Sequence, residues 1–79
     1  MLDLAVEIRS PGQTVKMLRD RLAFLRERGV PCTLMIDPET ETIYVNEGAA
    51  EWTARSGDAV TLTALDGFSF AVNDVFTES

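Results

Sequence analysis

Histidine is absent from the 79 residues, and cysteine occurs once, at Cys32. Without histidine there is no Ser-His-Asp triad, no Cys-His pair and no imidazole metal ligand, so catalysis would have to rest on carboxylates, Lys or Arg. A single thiol excludes an internal disulfide framework and leaves too few soft ligands for structural zinc, so a metal would need carboxylates. No apolar run reaches 18 residues, and a charge stands at position 3, which argues against both a membrane span and a signal peptide. The cytoplasm is the expected compartment. Five glycines and three prolines are too few for a collagen-like or low-complexity chain. Bases are also scarce: seven against thirteen acids give a net charge of −6, a field that repels nucleic acid unless the bases are gathered.

They are gathered. Lys16, Arg19, Arg21, Arg26 and Arg28 fall within thirteen residues, opposed only by Asp20 and Glu27, whereas Asp37 to Ser79 holds nine acids and only Arg55. Such a run is most simply a solvated helix face. Arg19 and Arg26, seven apart on one helix edge, are candidates for phosphate contact, with solvation as the simpler reading. With 46% hydrophobic residues, positions 1–79 are expected to form one small globular domain.

Leu2, Leu4, Val6 and Ile8 alternate with Asp3, Ala5, Glu7 and Arg9, which predicts a strand with one apolar face and with Glu7 and Arg9 on the other. Ser10-Pro11-Gly12 ends it, and Thr14 is a candidate helix N-cap. Val15, Leu18, Leu22 and Leu25 keep to one stripe of a helix that stops at Gly29. Arg21 lies at the margin of that stripe between Met17 and Phe24, while Lys16 and Asp20 form an outward i,i+4 pair. A strand over 30–36, a turn at Asp37-Pro38-Glu39-Thr40 and a strand over 42–45 read as a hairpin. Short strands follow over 51–54 and 59–62 around a Ser56-Gly57-Asp58 turn. A last extended segment through Val72 and a final turn from Asn73 to Phe76 complete the chain. The order is strand, helix, strand and antiparallel β meander, an α+β class. Its helix would cover one sheet face and nothing evident the other, which predicts a homo-oligomer or part of something larger. Cys32, beside Pro31 with no base to lower its pKa, reads as a packed small hydrophobe. Trp52, Phe68, Phe70 and Phe76 read as core or interface anchors.

Glu7 and Arg9 have the spacing of the acid and base of an E-x-K element. In that element a carboxylate holds Mg²⁺ and a neighbouring cation steadies the attacking water and the phosphate charge. Such i,i+2 pairs are also common on solvent-facing strands. Asp3 lies about 13 Å along the strand from Glu7, too far to share one ion.

A succession of motifs sharpens this: Asp3-Leu4-Ala5-Val6-Glu7-Ile8-Arg9-Ser10-Pro11, the helix, Arg28-Gly29-Val30, and Ile36-Asp37-Pro38-Glu39-Thr40. Leu65-Asp66-Gly67-Phe68-Ser69-Phe70 and a closing Asp74-Val75-Phe76 follow. The succession resembles the putative restriction endonuclease family, abundant in cyanobacteria and other bacteria, of the PD-(D/E)XK nuclease superfamily, and it is colinear from Leu2 to Phe76. The resemblance implies the C-terminal half of a restriction-endonuclease-like fold, with DNA as substrate and Mg²⁺ as cofactor. Glu7 matches the metal-binding glutamate, and Arg21 stands where the family has a helix lysine. Arg9 replaces a residue that is usually apolar and offers a second cation near Glu7. The implied catalytic set is Glu7, Arg9 and Arg21, with Glu7 as metal ligand. Asp3 matches the aspartate of a second Pro-Asp pair and is not taken as catalytic. Gly12 and Gln13 replace a usual Ser-Asp, and Leu34 stands where Trp is frequent.

The family's other metal-binding aspartate belongs to an N-terminal half that the resemblance does not reach, and one carboxylate binds Mg²⁺ weakly. Three readings follow. The chain is a non-catalytic, self-associating relative; or a Mg²⁺-dependent endonuclease completed by a symmetric dimer or by a partner chain supplying further strands; or a small binding partner that acts by strand addition.

Overall fold

The helix begins where a hydroxyl can satisfy its first free N–H groups. Thr14 is extended, and its Oγ1 accepts the Met17 N–H at 3.1 Å. The computed structural model describes residues 2–76. In it β1 (Leu4–Ile8) leads through α1 (Val15–Glu27) to β2 (Cys32–Asp37), β3 (Thr42–Glu47) and β4 (Ala50–Ala54). Then come β5 (Ala59–Leu62), a 3-10 turn (Thr63–Leu65), β6 (Phe68–Ala71) and a single helical turn, α2 (Val72–Val75). At the other end of α1, Gly29 takes φ 102°. There the Val30 N–H reaches the Leu25 carbonyl at 3.2 Å and the Gly29 N–H that of Arg26 at 3.0 Å. This Schellman closure needs a residue free of a Cβ penalty.

The fold is α+β, with the helix between two parallel strands and an antiparallel run after it. The main sheet has the order β1-β2-β3-β4. β1 runs parallel to β2, with Glu7 beside Met35, and the next two pairings are antiparallel, with Leu34 beside Val45 and Val45 beside Trp52. On one face Leu18 and Leu22 of α1 pack on Ala5, Val30 and Met35. Ala5 is small, which lets the helix sit close.

The antiparallel meander is present and runs from β2 to β4, while β5 and β6 form their own two-stranded sheet, with Val60 beside Phe70. Two expectations are corrected. The second face of the main sheet is covered, and by the chain itself. Val60, Leu62 and Val72 are fully buried against Leu34, Ile43, Val45 and Ala54, with Phe70, Phe76 and Trp52 packed around them. The physical reason lies in β5, whose alternation sends Val60 and Leu62 inward and Thr61 out. The second correction concerns β1, whose apolar row is not a core face. Only Leu4 joins the core, while Leu2, Val6 and Ile8 are 59%, 43% and 60% exposed. β1 lies at one edge of the sheet, and the covering layer centres on β2, β3 and β4.

Candidate functional site

Glu7 projects from β1 toward α1 because it shares the sheet face of Ala5, which the helix covers. Arg21 follows Leu18 by three residues and precedes Leu22, so it leaves the helix just beside the buried stripe. The two meet, with Arg21 Nη1 donating to Glu7 Oε1 at 2.7 Å. The pair sits at a rim, the carboxylate side chain 27% and the guanidinium 51% exposed. Of the three site residues expected from the sequence, these two come together.

Arg9 does not join them. Its Nη1 donates to Asp37 Oδ1 at 3.2 Å and to Glu39 Oε2 at 2.9 Å, while its backbone N–H bonds the Ile36 carbonyl. The Glu39 hydrogen bond, helped by the charges of Asp37 and Glu39, holds the guanidinium above its ordinary pKa against the opposing effect of burial. Asp37 is buried and also accepts from the Glu39 N–H and the Thr40 hydroxyl, so one carboxylate shapes the turn and anchors Arg9. The cation beside Glu7 is therefore Arg21.

The basic run of α1 is engaged with the protein. Arg19 lies over the Tyr44 ring at 5.2 Å and reaches Glu51 at 3.5 Å. Arg26 Nη1 donates to the buried Thr33 hydroxyl at 2.7 Å, so the simple solvated reading of these two arginines is corrected. Lys16 pairs with Asp20 as expected, and Arg28 covers the Phe24 ring at 4.6 Å. An open groove of about 490 Å³ along this flank is lined by Val15, Lys16, Arg19, Asp20, Ala23 and Arg26.

Sequence reasoning missed Glu47. At the end of β3 its carboxylate accepts the Ala64 N–H and the Thr63 hydroxyl, both at 2.9 Å, and Cys32 Sγ donates to it at 3.6 Å. The Ala64 N–H bond is the main reason its pKa lies below the ordinary carboxylate value. Burial, more than the neighbouring carboxylate, pushes the Cys32 thiol up, as suits a packed hydrophobe. No local pattern announces Glu47, because its partners lie sixteen and seventeen residues further along the chain.

A hexacoordinate Mg²⁺ needs several oxygen ligands. Glu7 offers one carboxylate, already held by Arg21, and among the described residues no three His, Cys, Asp or Glu side chains are grouped to hold an ion. The residues present do not compose a metal site by themselves.

No family model and no curated protein matches the chain. A solved structure does: the crystal structure of "a putative nuclease belonging to DUF820" from Anabaena variabilis, with a TM-score of 0.82 over 95% of this chain. The fold is nuclease-like. Sequence identity is 19%, and the chain spans 44% of that structure's length, so the likeness concerns the fold of a part. Among the described residues no helix is long and apolar enough to cross a membrane.

Proposed function

We propose that this chain is a self-associating, nuclease-like module related to the PD-(D/E)XK type, corresponding to the C-terminal half of such a domain and not cleaving DNA by itself. The observation that carries the non-cleaving part of this reading is the Glu7–Arg21 pair, and the place of β1 at an edge of the sheet supports the self-association. Cleavage of this type needs a metal held by more than one carboxylate and a group able to take a proton from water. Here a single carboxylate is paired with a guanidinium, which clamps phosphate well but is no proton acceptor. A lysine at the same place could shift its pKa and serve as a base, and arginine cannot. The motif succession from Leu2 to Phe76 and the fold likeness over 95% of the chain support the nuclease-like part of the reading.

A second reading is favoured by the position of Glu7 on an edge strand. A strand added there would place its own side chains beside Glu7 and could supply the further carboxylate, giving a Mg²⁺-dependent DNA endonuclease that works only as an oligomer or with a partner chain. Nicking of supercoiled plasmid with Mg²⁺ or Mn²⁺, run beside Glu7→Gln, separates the two. The expected result is intact plasmid from a folded chain. Nicking that Glu7→Gln removes would overturn the first reading and establish the second.

A further inference from the structure

Among the described residues no strand pairs with the outer edge of β1. Arg9 turns its backbone N–H toward β2, where it bonds Ile36. Because successive residues of a strand direct their N–H and C=O groups to alternate sides, Leu4, Val6 and Ile8 turn theirs outward, away from β2. The same row carries the exposed Val6 and Ile8 side chains, and Met17 and Phe24, four before and three after Arg21 on its helix flank, are also exposed. An unpaired edge of this kind is a template for another strand.

We infer that a second copy of this chain pairs its β1 antiparallel with β1 across this edge, Val6 facing its own counterpart on a two-fold axis; this rests on the self-associating reading above. Strand length and charge together select the register: an axis on Leu4 or Ile8 would overlap the two β1 strands at a single residue, whereas one on Val6 overlaps all of Leu4–Ile8. Centring the axis on Glu7 would set Glu7 opposite Glu7, and centring it on Ala5 would set Glu7 opposite Asp3, both like-charge pairs that destabilise a sheet. Centring it on Val6 sets Leu4 opposite Ile8, Glu7 opposite Ala5 and Asp3 opposite Arg9. Apolar then meets apolar, and the one charged apposition is between opposite signs. The outward N–H and C=O groups of Leu4, Val6 and Ile8 fall opposite one another as hydrogen-bonded pairs. The two Glu7 residues become diagonal neighbours, with Cα atoms roughly 7 to 8 Å apart.

The test is the solution mass of the full chain by analytical ultracentrifugation, with far-UV circular dichroism as the check on folding. Wild type is expected at twice 8.7 kDa, and Val6→Lys, which sets two ammonium groups face to face, is expected to weaken the dimer by roughly a hundredfold or more. Under mild oxidation Val6→Cys should crosslink readily, whereas Ala5→Cys and Glu7→Cys should not; this comparison decides if Val6→Lys fails to fold. A wild-type monomer, a dimer indifferent to Val6→Lys, or crosslinking that favours position 5 or 7 would each overturn the inference, as would a monomer that takes up a different protein at this edge. A monomer overturns the pairing whatever the plasmid shows, and nicking overturns the reading of the site whatever the mass.

Discussion

Arg9 and Asp37, twenty-eight residues apart in the chain, are joined at 3.2 Å where β1 and β2 end side by side. The contact locks the exit of one parallel strand to that of its neighbour, and the same carboxylate builds the turn that starts β3. Asp37→Ala removes the acceptor of three hydrogen bonds at a buried position and is expected to cost about 2 to 3 kcal/mol. Urea denaturation measures it. A loss below about 0.5 kcal/mol would mean that the turn holds without its carboxylate.

The Glu7–Arg21 pair behaves differently because both partners reach solvent. Rim ion pairs contribute about 0 to 1 kcal/mol after screening and side-chain ordering. Glu7→Ala and Arg21→Ala should therefore each shift unfolding by less than about 1 kcal/mol. A loss above roughly 2 kcal/mol for Glu7→Ala would make the carboxylate a structural member of the fold.

Leu62 anchors the smaller sheet on the larger one and is fully buried. Leu62→Ala leaves a cavity between the two layers and is expected to destabilise by about 2 to 5 kcal/mol. Phe68 lies on the neighbouring strand, 55% exposed, and Phe68→Ala should cost under about 1 kcal/mol. Thermal melts of the two variants side by side test this layering, and equal losses would contradict it.

Glu47 supplies a pH dependence. Its folded pKa lies below the ordinary 4.5, chiefly through the Ala64 N–H. The ionised form is thus the one that stabilises the fold: the contribution is complete above 4.5 and is lost as the pH falls through the lowered folded value. Glu47→Gln is expected to melt at a lower temperature than wild type at pH 7, and the gap should narrow as the pH drops below 4.5. A gap that does not change between pH 7 and pH 3 would assign the effect to shape instead of charge.

Much of this architecture is legible in the sequence, for identifiable reasons. The helix announces itself through the Leu18–Leu22 stripe, the Thr14 cap and the Gly29 stop, all of them local. The hairpin after β2 is signalled by Asp37-Pro38, whose turn chemistry lies within four residues. β1 misleads because alternation gives a strand two distinguishable faces without saying which is buried. The face with Ala5 wins because a helix needs a small residue beneath it, and Leu2, Val6 and Ile8 look richer but lie beyond the covering layer. The separate β5–β6 sheet is hidden for a similar reason: Val60 and Leu62 mark a strand, and nothing in them says whether it extends a sheet or stacks on one. At the candidate site, the approach of Arg21 to Glu7 could be anticipated from its place beside the apolar stripe. The capture of Arg9 by Asp37 and Glu39 depends on strand register, which emerges only once β1 and β2 are paired.

The sequence distance across the β1–β2 pairing also has a kinetic side. β2, β3 and β4 are joined by short turns and can zip together early, whereas β1 can dock only after α1 has formed and the whole crossover has closed, a slower search. β1 should then be the last strand to arrive and the first to leave. Native-state hydrogen exchange should find the Glu7 and Arg9 amides opening at lower free energy than those of Ile43 and Val45, and the reverse order would refute it. Until β1 arrives, β2 is itself an open edge, so the window for misassembly during folding falls on the most deeply buried strand of the protein.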